Sequence, residues 1–107
     1  MKIIAYDHFK PGVAKGSIKT DLLKEEMIHA WRLQKAGVIR EICGRADAPG
    51  AVIVFECGSV DEVKEYVADF PLSKAGFLDW DFLALTAPLP FEVLFDTAIA
   101  GKMPLPR

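Results

Sequence analysis

The side chains best suited to chemistry are a glutamate, a histidine, an arginine and two aspartates. Glu26 stands one helical turn before Ala30, beside the apolar stripe of a predicted helix. A carboxylate at such a desolvated edge titrates higher than usual, as a general base requires. The alternative is a solvated glutamate among Lys24 and Glu25. Arg40 falls in an otherwise apolar predicted strand, where a guanidinium must be paired. Its partner is either an anionic ligand or a protein carboxylate, with Asp79 or Asp81 the nearest choices by type. His8 closes the first predicted strand next to Asp7, with Tyr6 on its own face, and could shuttle protons near neutral pH. An exposed or capping histidine is the other reading. His29 lies beside the helical apolar stripe and reads as structural.

Asp79 and Asp81 alternate with Trp80 and Phe82, so the acids face one way and the aromatics the other. If the acidic face lines a cavity, the pair are acid–base or substrate-binding candidates together with Tyr6 and Trp80. Otherwise they are charges that discourage edge pairing. Metal binding has little support: no HxH or HxxxH spacing occurs, and Cys43 and Cys57 lack nearby ligands. Glycine-rich phosphate loops and a GxSxG elbow are also absent, so no cofactor is expected.

These residues need a scaffold, and the pattern supplies one. Lys2–Phe9 reads as a strand ended by Pro11-Gly12. Thr20 or Asp21 caps a helix whose apolar face is Leu23, Met27, Ala30 and Trp31, with Gln34 in line, and Gly37 closes it. Val38–Arg45 and the nearly all-apolar Ala51–Cys57 are strands around a Pro49-Gly50 turn. Ser59 and Glu62 have capping-box spacing before a short helix ended by Phe70-Pro71. Phe77–Thr86 is the last strand. The order β-α-β-β-α-β predicts a ferredoxin-like α+β fold: a four-stranded antiparallel sheet with two helices on one face. Because Ala51–Cys57 is apolar at both parities, the second face also wants cover, and a two-fold copy of the sheet is the economical one.

The chain has 107 residues, 51% hydrophobic and 26% charged, with net charge -2. That suits one small globular domain, 1–87, followed by a proline-rich tail, 88–107, whose apolar Phe91–Phe95 is expected to pack on a partner subunit. The charge argues against nucleic acid, and no apolar run is long enough to span a membrane. Both cysteines are expected to be buried free thiols in a cytoplasmic protein.

From Leu33 onward the chain resembles the muconolactone isomerase family of the dimeric α/β-barrel superfamily. The resemblance is carried by Leu33-Gln34 with Gly37, by Arg40, Val54-Phe55 and Ser59-Val60, and by Pro71-Leu72. It registers nearly without gaps from Glu25 to Leu72. It implies a dimeric barrel that assembles as a homodimer or higher homo-oligomer. It also implies a cofactor-free isomerase that moves a proton between carbons of a small anionic lactone or enolisable acid. Glu26, which matches a family acidic position, would be the base, or His8 would, and Arg40 would hold negative charge. The same scaffold could instead be a non-catalytic ligand-binding or assembly module, or a cofactor-independent oxygenase.

Overall fold

The computed structural model describes residues 1–14, 16–88 and 94–95. Its elements are β1 (Lys2–Phe9), α1 (Thr20–Lys35), β2 (Ile39–Gly44), β3 (Ala51–Glu56), α2 (Val60–Ala68), α3 (Pro71–Lys74) and β4 (Leu78–Ala84). The strands form one antiparallel sheet in the order β2-β3-β1-β4. This is the expected ferredoxin-like arrangement, with a single-turn helix, α3, added where Pro71 starts a new turn after α2.

Strand alternation assigns each side chain to a face. Ile3, Ala5, Ile53 and Phe55 point toward the helices and are buried with Val63, Val67 and Phe70. Trp80 and Phe82 pack at the edge of this cluster. Phe55 is wholly enclosed, and burial of such a side chain contributes about 2–3 kcal/mol. On the opposite face Ile4 pairs across to Val54 and Leu83, and Tyr6 to Val52 and Asp81. Leu83 is 53% exposed there.

Local signals explain the helix ends. Ser59 Oγ accepts the Glu62 amide, while Glu62 Oε2 accepts the Gly58 amide, a capping box displaced by one residue. Gly37 adopts φ 80°, and the Val38 amide closes back on the Leu33 carbonyl, completing a left-handed helix stop. At its start α1 departs from expectation: Lys19 occupies the N-cap with no side-chain hydrogen bond, and Thr20 is already helical.

The orientation of α1 is a further correction. Leu22, Glu26, Ala30 and Leu33 form its inward stripe, all partly buried. Of the expected apolar face only Ala30 turns inward; the rest is turned outward, with Met27 73% and Trp31 56% exposed beside Leu23 and the neighbouring Ile28. Lys35 Nζ lies 4.9 Å over the Trp31 ring and partly covers it.

Cys57 is buried and Cys43 exposed, both as free thiols. Of the tail, only residues up to Pro88 and Leu94-Phe95 are described, the latter two exposed; the expected packing of Phe91–Phe95 on a partner therefore lies largely outside the described residues. Among the described residues no helix is long and apolar enough to cross a membrane.

Candidate active site

The sequence-derived candidates divide between the two faces of the sheet. Tyr6, His8, Asp79 and Asp81 share the open face, because β1 pairs with β4 through Tyr6–Asp81 and His8–Asp79. His8 Nε2 lies 3.9 Å from Asp79, His8 Nδ1 lies 3.8 Å from Asp81, and Lys10 reaches Asp79 at 3.9 Å. All are well exposed, so these contacts are weak. Arg45, following β2, lies 5.7 Å over the Tyr6 ring.

Trp80 is on the other face. Its indole N–H donates to Ser73 Oγ at 2.8 Å, and its ring meets Phe70 edge-on. Arg40 is exposed rather than interior. The register slips between Ile39 and Glu41, so Arg40 is the extra residue of a bulge on an edge strand. The edges β2 and β4 lie on opposite sides of the sheet, which removes Asp79 and Asp81 as its partners.

Glu26 enters from α1 into the layer between helices and sheet. One carboxylate oxygen accepts the Leu72 amide at 3.1 Å, fixing the side chain against the start of α3. Burial, opposed by that hydrogen bond and reinforced by the charge of Asp7, raises its pKa to about 6. Asp7, whose charge acts on it, comes from the sheet. Since Ile3, Ala5 and Asp7 are alternate residues, Asp7 shares the buried face and is only 5% exposed. Its Oδ1 accepts the Ala51 amide at 2.8 Å. Burial pushes this carboxyl upward too, against the pull of that hydrogen bond and of Arg45. Arg45 does not pair with it directly: the guanidinium donates to the Asp7 backbone carbonyl at 3.0 Å and to both carboxylate oxygens of Asp47, at 3.0 and 2.8 Å.

Two desolvated carboxyls, from β1 and α1, thus occupy the helix-covered side of the sheet, with the charge of Asp7 acting on Glu26 and each having a single oxygen hydrogen-bonded among the described residues. Sequence reading selected Glu26 and passed over Asp7, although the alternation of β1 already turned it inward. Gly50 makes the arrangement possible. A Cβ there would stand 2.5 Å from the Asp7 carbonyl oxygen and 2.7 Å from its Oδ1. His29 belongs to the packing: its ring meets Phe70 edge-on at 4.6 Å, and burial lowers its pKa, favouring the neutral imidazole.

Among the described residues, Phe9, Val13, Ala14, Gly16, Ile18, Leu23 and Pro49 line a cavity of about 360 Å³. Phe9 is two residues beyond Asp7 on the same strand face, and Leu23 is one helical turn before Glu26. The cavity is large enough for a small ring compound. Among the described residues no cluster of three or more His, Cys, Asp or Glu is arranged to hold a metal.

A ferredoxin-like sheet with an acidic pair in its helix-covered layer defines the class of molecule: a small α+β protein with the muconolactone isomerase fold. No family model matches the sequence, and no curated protein is significantly similar to it. Solved structures do match. Muconolactone isomerase superposes with a TM-score of 0.66 at 21% identity, over 82% of this chain and 91% of that one. The 5-chloro-2-hydroxyhydroquinone dehydrochlorinase of Burkholderia phenoliruptrix AC1100, solved in complex with 2,5-dihydroxybenzoquinone, gives 0.63 at 20% identity, over 82% and 96%.

Proposed function

We propose that the protein is a proton-transfer enzyme, an isomerase or lyase of a small enolisable ring compound, with Glu26 as base. The observation that carries this is a half-buried carboxylate, its pKa raised to about 6, on the same helix whose Leu23 lines an apolar cavity. Such a group is ionised at neutral pH yet basic enough to take a proton from carbon. The similar folds of an isomerase and a dehydrochlorinase add support by analogy.

In the isomerisation, Glu26 removes the proton from a carbon next to a carbonyl. The C–H electron pair moves into a new C–C double bond, and the carbonyl π pair moves to oxygen. The protonated Glu26 then returns its proton to the far end of the conjugated system, and the double bond has shifted. A leaving group expelled at that stage would make the same step an elimination. The anionic lactone implied by the family resemblance is one substrate of this class, and its uncharged derivatives are others. The test is a spectrophotometric isomerisation assay on muconolactone and its neutral primary amide. Turnover of either supports the reading, and turnover of neither between about pH 5 and 9 rules these lactones out.

The protein acts as a homodimer in this reading, joined through the open sheet face. Ile4, Tyr6, Val52, Val54 and Leu83 share that face, with Arg45 reaching over Tyr6 at its margin and Leu83 53% exposed. A lysine at its centre should split the dimer. Val54→Lys is expected to run as a folded monomer in sedimentation velocity at micromolar concentration, with wild type at twice the mass. A wild-type monomer at that concentration counts against the assembly.

A further inference from the structure

We infer that the outward face of α1 recognises itself, taking the same face of a second copy in antiparallel, two-fold pairing. Met27, Ile28 and Trp31 follow Leu23 along the side of α1 turned away from the sheet, and all four are exposed. Single exposed apolar side chains are ordinary, but a row of four within about 12 Å of one helix is a contact surface. Its charges are sorted by end. Asp21 and Glu25 lie toward the N-terminus of α1, Arg32 and Lys35 in its last turn, and all are exposed. Among the described residues none of the four is in an ion pair. At 100° per residue these four and Ile28 fall within about 80° of one another, along one flank of the apolar row.

A flank of that kind is complementary to itself when turned end for end. With the two-fold axis at Ile28, Asp21 of one helix comes opposite Lys35 of the other, and Glu25 opposite Arg32. Symmetry makes each pair twice, and a parallel pairing would set like charges against each other instead. Met27 and Trp31 close over the apolar seam on either side of the axis. Lys24, the charge nearest the row, falls opposite the Trp31 ring of the second copy, a cation–ring contact. A single pair of helices buries well under the roughly 1,200 Å² of a stable interface, so the contact forms on the order of 100 µM rather than at micromolar concentration. It lies on the opposite side of the fold from the open sheet face, so a protein already paired through that face can pair again through α1.

The experiment is sedimentation velocity on the full-length protein from about 5 to 500 µM, a range that spans the affinity of so small a contact. The mass is expected to double between those limits, in wild type and equally in Val54→Lys. Met27→Glu, at a solvent-exposed position, should melt as wild type does and keep its micromolar mass throughout. Charge reversal then identifies what sits on the face. Glu25→Lys and Arg32→Glu should each raise the concentration needed for doubling by about fivefold, since the two-fold axis counts every exposed pair twice. The double variant Glu25→Lys/Arg32→Glu should recover the wild-type value, because its pairs are restored with the signs exchanged. Constant mass up to 500 µM overturns the inference, and so does a doubling that survives Met27→Glu. Failure of the double variant to recover overturns the antiparallel pairing and points to the apolar tail segment of a second copy as the occupant. If wild type and Val54→Lys start from the same mass at 5 µM, the sheet-face dimer fails, while the α1 contact still stands or falls on the doubling.

Discussion

Glu26→Gln is expected to lose turnover by at least about a hundredfold, the usual contribution of a positioned base, while the protein stays folded. Glutamine keeps an oxygen for the Leu72 amide, so the helix contact survives. The substitution should also stabilise the fold slightly above pH 6. In wild type Glu26 titrates near 6 in the native state against an ordinary 4.5. The native state therefore binds its proton more tightly than the unfolded state does. The stabilisation linked to that proton is complete below about pH 4.5 and is lost as pH rises through 6. A group this exposed to solvent is partly screened, so the loss is about 1 kcal/mol. Activity moves the opposite way: kcat/KM should rise through pH 6 as the base ionises. A variant that is less active but melts higher at pH 8 separates a catalytic carboxylate from a structural one. If Glu26→Gln kept full activity, Glu26 would not be the base. Asp7→Asn supplies an independent check, because removing that charge should move the pH midpoint of kcat/KM downward.

The second large effect is expected at Gly50, far from Glu26 in sequence. Its φ of 148° is uncommon for residues with a side chain, and an added Cβ would collide with both the carbonyl and the carboxylate of Asp7. Strain and overpacking together put the cost of Gly50→Ala at about 3 kcal/mol. For a domain of this size that lowers Tm by more than about 10 °C, which scanning calorimetry would read directly. A variant melting within about 3 °C of wild type would mean that the β2–β3 turn relaxes freely and does not set the position of Asp7.

Much of the fold was legible because its signals are local. Period-two alternation, a capping serine and a left-handed glycine each act over a few residues. The facing of α1 was not, because two stripes on that helix share the helical period. Leu23, Met27 and Trp31 form the more hydrophobic one, but Leu22, Ala30 and Leu33 lie closer to the sheet. Which stripe turns inward is decided by where the loop after β1 and the entry to β2 anchor the helix ends, a tertiary constraint. Arg40 was misplaced for a different reason: a bulge changes the parity of a strand, and an apolar neighbourhood does not reveal that the strand is an edge. Asp7 was readable and was overlooked because His8 beside it has the more conspicuous chemistry.

That neighbouring pair has a consequence for how such a protein can change. Asp7 and His8 are consecutive, yet one belongs to the acidic pair under the helices and the other to the open face. A single residue deleted early in β1, with the later residues drawn back by one position along the sheet, would turn each to the other face. The histidine would move beside Glu26 and the aspartate out among Asp79 and Asp81. One codon could thus replace a paired-acid site with an acid–imidazole one and load the outer surface with a third adjacent carboxylate. Inheritance of new chemistry and disruption of self-association would then arrive as a single event, written in the same strand.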